Sequence, residues 1–133
     1  GSLTTLHANT PRDALSRIET MVLMAGMDLP LKVVRQQISS AVDLIIQQTR
    51  LKDGSRKVTA ITEVAGMEGD TVVLTDIFKF EQTAIGQEGK IIGELRATGI
   101  RPIFTPRLEA GGFKLSGEIY MPPSSATKSQ QRH

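Results

Sequence analysis

The sequence predicts an α/β fold in which a strand and two helices, arranged as at the end of a parallel α/β sheet, are followed by an antiparallel hairpin and meander. Three observations predict it. "LTTLHA" (Leu3 to Ala8) alternates Leu3, Thr5 and His7 against Thr4, Leu6 and Ala8, the period of a strand with two usable faces. Two segments of helical periodicity come next, and after them β-branched runs separated by glycine-containing turns.

Taken in order, Thr10 offers an N-cap, Pro11 suits the first helical position, and Asp13 completes a Thr-x-x-Asp variant of the capping box. Leu15, Ile18, Val22 and Ala25 then form one apolar stripe, and Gly26 is placed to end the helix in the left-handed conformation. Met21, Met24 and Met27 read as core filler at one end of this helix. Leu31, Val34, Ile38 and Ala41 give a second stripe, with Pro30 in its first turn. "AVDLIIQQTRL" (Ala41 to Leu51) runs into a turn built on Asp53-Gly54, from which "VTAITEV" (Val58 to Val64) returns. A third strand is expected at "TVVLTDIFKF" (Thr71 to Phe80) and a further strand or extended segment at "KIIGELRAT". "TPRLEAGG" reads as a short helix with Thr105 as N-cap, Pro106 first and Gly111 past its end. The division this suggests is 1–50 for the first strand and helices, 51–116 for the meander and short helix, and 117–133 for a disordered tail rich in Pro, Ser and polar residues.

Composition narrows the chemistry. A chain of 133 residues is expected to form one unit, and with 4% aromatics and no Trp its core must be built from Leu, Ile, Val, Met and Ala. No cysteine is present, which removes disulfides, thiolate catalysis and Cys-ligated metals, and two histidines, one of them the terminal His133, exclude a His-rich metal cluster. The net charge of +2 arises from both signs together rather than from a basic tract, so it does not argue for nucleic acid. No apolar run approaches the roughly 20 residues of a spanning helix and no signal-peptide pattern opens the chain, so a soluble, cytoplasmic protein is expected. The chain lacks an initiator Met and begins inside a patterned segment, as a fragment would.

In the expected parallel sheet, ligands gather at the carboxyl ends of the strands, and His7 lies at such an end. Its imidazole suits a general base, a metal ligand or a donor to a phosphate oxygen; the plainer reading is a strand-end histidine. A triad of Ser2, His7 and Asp13 has the residue types but not the spacing. "AIGQEGKI" (Ala84 to Ile91) fails as a phosphate loop, since Ala84 stands for the first Gly and Ile91 for the Ser/Thr, and reads as a hairpin loop. Arg12 and Arg17 on the first helix, and Arg50, Lys52, Arg56 and Lys57 about the first hairpin, suit a phosphate or an acidic partner, or else simply a solvated surface. Asp43 with Asp53, and Glu68 with Asp70, lack the spacing of a calcium loop.

Taken together, the opening residues are more specific than their parts. "GSLTTLHANTPRDALSRIETM" resembles the histidine-box region of the type II/type IV secretion-system ATPases, where a Gly-Ser-x-x-Thr-x-His-Ala strand precedes an Asn-Ser/Thr-Pro-Arg-x-Ala-x-x-Arg-Ile/Leu-Glu helix. "AVDLIIQQTRLKDGSRKVTAITEVAGMEGD" and "ATGIRPIF" are similar to the segments that follow in the branch assembling Flp-type (Tad) pili, so the resemblance covers about Gly1 to Phe113. It implies the C-terminal portion of a RecA-like P-loop ATPase core with an added antiparallel hairpin or meander. The complete protein would be a cytoplasmic homo-hexamer, peripheral to the inner membrane, using ATP and Mg and working with inner-membrane platform proteins, without nucleic acid. His7 would be the catalytic histidine, close to the γ-phosphate with Thr4 and Thr5, while Arg12, Arg17, Arg50 and Arg56 match positions that are inter-subunit, structural or near the phosphates. The family's phosphate loop, Asp box and Walker B acid lie upstream of the histidine box and have no counterpart in this chain, so no tightly bound cofactor and no hydrolysis by this chain alone are expected. The alternative is a self-contained interaction module built on the meander.

Overall fold

Two helices lead into a four-stranded sheet, and a short C-terminal segment returns across the sheet's other face. The computed structural model describes residues 1–123. Its elements are α1 (Pro11–Met24), α2 (Leu31–Ala41), β1 (Leu44–Arg50), β2 (Arg56–Glu68), β3 (Thr71–Ile85), β4 (Ile91–Ala97) and α3 (Thr105–Ala110), with single 3-10 turns at Gln87–Gly89 and Gly117–Tyr120. The fold is thus mixed α/β, with the strands in the order β1-β2-β3-β4 and every pairing antiparallel. No described helix is long and apolar enough to cross a membrane.

α1 starts where the capping residues place it. Thr10 is extended, its hydroxyl accepts the Asp13 N–H at 3.0 Å, and Pro11 occupies the first turn. Beyond the helix, Gly26 adopts φ 77°, the left-handed conformation that lets the chain leave. The expected stripe packs inward through Leu15, Ile18 and Val22, where it meets Val34 and Ile38 of α2 and Val64 and Val72 of β2 and β3. Pro30 is the cap residue of α2 rather than part of its first turn. Met21, Met24 and Met27 do not fill the core; they are 53%, 81% and 50% exposed, because the Leu15–Ile18–Val22 stripe alone faces the sheet.

The meander uses three tight connections. Between β1 and β2, Asp53 Oδ1 accepts both the Ser55 N–H (2.9 Å) and the Ser55 hydroxyl (2.6 Å) while Gly54 takes φ 85°. Side chains alternate along β2, so its neighbours Glu63 and Val64 serve opposite faces. Val64 joins the core beneath the helices. Glu63, only 4% exposed, has its carboxylate oxygens accept the N–H groups of Ile103 (2.9 Å) and Phe104 (3.2 Å), which docks the α3 segment. Phe78 on that same face meets the Tyr120 ring with centroids 6.2 Å apart, and the Gly99 N–H donates to the Tyr120 carbonyl at 2.8 Å.

The structure corrects the expectations for the first strand and for Thr105. Leu3 to Ala8 forms no strand: a strand needs a ladder partner, and the contact to the sheet runs through a side chain. Among the described residues every strand pairing is antiparallel. Residue 50, the boundary that the sequence suggests, is the last residue of β1 and pairs with Arg56 of β2. Thr105 begins α3 instead of capping it; buried, it donates its hydroxyl to the Pro102 carbonyl at 2.7 Å, and Phe104 is the cap residue. As for the tail expected from 117, Gly117–Tyr120 is a 3-10 turn that buries Tyr120, and residues 124–133 lie outside the described residues.

Gly93 of β4 is held in place by sterics. A Cβ there would meet the Glu81 carbonyl oxygen, Phe80 Cζ at 2.6 Å and Gln82 Cα at 3.0 Å. Two of these contacts are backbone and cannot turn aside. Gly93→Ala is therefore expected to destabilise the protein by about 1–3 kcal/mol as an overpacking change, read as a lower urea midpoint.

Candidate functional site

The residues before α1 are positioned from the helix start. The Asp13 carboxylate accepts the Asn9 N–H at 3.0 Å and pairs with the Arg17 guanidinium at 3.3 Å. The Asn9 amide, with Arg17 beside it, holds the Asp13 carboxyl below its ordinary range. One residue earlier, Gln47 Nε2 of β1 donates to the Ala8 carbonyl at 3.0 Å. These contacts lay residues 4–8 along the open edge of β1.

The result is a cavity of about 400 Å³. Thr4, Thr5 and His7 line it on one side, Ile18 of α1 and Gln47 of β1 close it, and Arg56 reaches it from β2. Its polar groups are two hydroxyls, an imidazole, carboxamides and one guanidinium, which are hydrogen-bond donors suited to an anionic oxygen. Among the described residues no group of three or more His, Asp or Glu side chains is gathered.

The structure brings together Thr4, Thr5, His7 and Arg56, and places the other candidates elsewhere. Arg12 Nη1 donates to the Val72 carbonyl at 2.8 Å, tying α1 to the start of β3. Arg17 is taken up by Asp13. Arg50 stands directly opposite Arg56 in the β1–β2 ladder but does not line the cavity. His7 is not on a strand; it is exposed in the segment that precedes α1. No triad forms, since the Asp13 carboxylate is committed to Asn9 and Arg17. "AIGQEGKI" makes the β3–β4 turn, with Glu88 at φ 61° and Gly89 at φ 74°. Asp43 and Asp70 lie within 4 Å of cations, Arg107 at 3.8 Å and Lys32 at 3.5 Å.

Sequence reasoning did not single out Gln47, Glu63 or the Arg35–Glu19 pair. Arg35 Nε donates to Glu19 at 2.8 Å and its Nη1 to the Asp70 carbonyl at 3.0 Å, joining α2, α1 and the β2–β3 turn. Glu63 carried a signal, as an acid inside the apolar run "TAITEV". Gln47 carried none, because a surface strand glutamine is ordinary. Comparison with protein-family models and with curated proteins found no match.

Two outcomes follow from the anchoring contacts. Thr10→Ala removes the cap and is expected to cost about 1 kcal/mol of stability in urea unfolding. The Asp53 carboxyl, normally near 3.8, is held at about 2 by the Ser55 hydroxyl and then by the amides of Ile91 and Ser55. A depressed carboxyl stabilises the fold fully above its unfolded value and loses that contribution as pH falls through its folded value. The urea midpoint should therefore decline between about pH 4 and pH 2, and Asp53→Asn should flatten that part of the profile.

Proposed function

We propose that this chain is the C-terminal portion of a hexameric ATPase that powers secretion or pilus assembly, of the Flp (Tad) branch. On this reading residues 1–50 belong to a RecA-like core and the meander is added to it. What carries the reading is that Thr4, Thr5 and His7, three residues of the histidine-box resemblance, line one cavity together with Arg56.

The chemistry then follows from these side chains. A neutral imidazole can donate an N–H to a terminal phosphoryl oxygen that exists only before hydrolysis, so His7 reports which nucleotide state is present. The Thr4 and Thr5 hydroxyls supply further donors, and the Arg56 guanidinium supplies the positive charge that a phosphoryl group needs when it leaves water. ATP, when bound in the complete protein, supplies the phosphoryl group whose loss drives the movement. The chain holds no Gly-x-x-x-x-Gly-Lys-Ser/Thr, so the backbone cradle and the magnesium ligands would come from elsewhere in that protein. Its setting on this reading is cytoplasmic, at the inner membrane, against platform proteins.

The rival reading, an interaction module, is favoured by the sheet itself: all four strands pair within the chain and residues 3–8 add nothing to the ladder. It leaves the cavity without a purpose. Calorimetric titration of this chain with Mg-ATP should give no binding of sub-millimolar strength. In the complete motor, His7→Ala should lower ATP turnover on the order of a hundredfold, the effect of removing one donor aimed at developing charge. Sub-millimolar binding by the chain alone would contradict the need for a separate phosphate loop, and undiminished turnover in the His7 variant would remove the sensor.

A further inference from the structure

Of the described cations eight are engaged, Arg12 by the Val72 carbonyl and seven by carboxylates, and six have no such partner: Lys114, which follows α3, and five that lie together. Arg17, Lys32, Arg35, Lys79, Arg96, Arg101 and Arg107 each lie within 4.0 Å of a carboxylate. Arg50, Lys52, Arg56, Lys57 and Lys90 have no carboxylate partner among the described residues, and all five are exposed. These five occupy one end of the sheet. Both the β1–β2 and β3–β4 turns lie there, and Asp53 Oδ2 of the first accepts the Ile91 N–H just beyond the second at 2.8 Å, which holds the two tips together. Arg50 and Arg56 are direct cross-strand partners, a like-charge pairing that disfavours the ladder unless an anion sits against it. Only Asp53 and Glu88 oppose this charge locally, and Asp53 is already occupied by Ser55 and Ile91.

The same end exposes isoleucine. Ile85 is 70% and Ile92 51% exposed, at the last turn of the β3–β4 arm. Ile85 pairs with Ile91, and Ile92 follows Ile91 along the strand, so Ile85 and Ile92 stand on opposite faces of the arm. A flat protein surface covers one face of a hairpin, whereas a lipid layer surrounds a tip that enters it. Nucleic acid would call for stacking aromatics, and none lies in residues 50–58 or 84–92.

We propose that this end of the sheet docks on an anionic lipid bilayer, the five cations meeting lipid phosphates while Ile85 and Ile92 enter the interface. The inference stands on the placement of charge and apolar surface and does not depend on the ATPase reading; its test involves no nucleotide. The full chain is sedimented with vesicles of phosphatidylcholine alone and with vesicles containing about a third phosphatidylglycerol, at low and high salt. Binding is expected to the anionic vesicles only and to weaken with salt. Lys52→Gln/Lys57→Gln/Lys90→Gln should weaken it on the order of a hundredfold, from the contribution of each cation near an anionic surface. Ile85→Ser/Ile92→Ser, which keeps every charge, should weaken it severalfold, and unchanged circular dichroism melting of both variants shows that they fold. No binding to anionic vesicles overturns the proposal, as does wild-type binding by the lysine variant. Full binding by the isoleucine variant, with equal capture by polyglutamate, would make the partner an acidic polypeptide and overturn it too.

Discussion

The structure depends on β2 being covered on both faces. A strand in that position must supply apolar side chains in both directions and satisfy every polar group it buries. β2 meets the first demand with Ala60 and Val64, both buried on one face, and with the half-buried Ile61 on the other. It meets the second with two polar residues in sequence: the Thr62 hydroxyl is 2.7 Å from Asp76, and Glu63 is engaged by two backbone amides. Among the described residues no buried side-chain nitrogen or oxygen lacks a partner. The Glu63 contact is a directional tether. It fixes where the chain returns after β4, and the Phe78–Tyr120 contact completes that layer. Apolar burial alone would have left the return path open, because hydrophobic contact is non-directional.

On the other face, the helices both build the core and aim the segment before them. α1 packs through Leu15, Ile18 and Val22, and its first turn collects the Asn9 amide, the Thr10 hydroxyl and the Arg17 guanidinium around Asp13. The chain is therefore tied at Ala8 and Asn9, which leaves His7 one residue from an anchor and Leu3 fully exposed. This is why a histidine outside any regular element still belongs to a defined cavity.

Much of this was legible in the sequence, for local reasons. Thr10, Pro11 and Asp13 specify a helix start within four residues, and Asp53-Gly54 specifies a hairpin, so neither needs distant information. Leu3 to Ala8 shows the limit of the same logic. Alternation reports that a segment can serve two faces, but a strand exists only where a neighbour completes its ladder, and the neighbour here offers a glutamine side chain. The methionines failed for a related reason: 3.6-residue spacing identifies a stripe, and only packing decides which of two adjoining stripes turns inward. Of the candidate site, His7, Thr4 and Thr5 came from the motif. The separation of Arg56 from Arg12, Arg17 and Arg50 needed the fold, since four arginines look alike until their partners are known.

Arg56 also links the two features that the sequence kept apart. It lines the cavity shared with His7, and it faces Arg50 across the ladder at the root of the cationic end of the sheet. Charges this close interact well within the roughly 10 Å screening length at ordinary salt, so an anion held at either place lowers the cost of keeping the two arginines opposed. Removing Arg56 would change both surfaces at once. Lys52, Lys57 and Lys90 do not line the cavity and carry no carboxylate partner among the described residues, so their charge belongs to the tip alone. The lysines, rather than the arginine, are the residues through which the surface can be altered while the cavity keeps its one guanidinium.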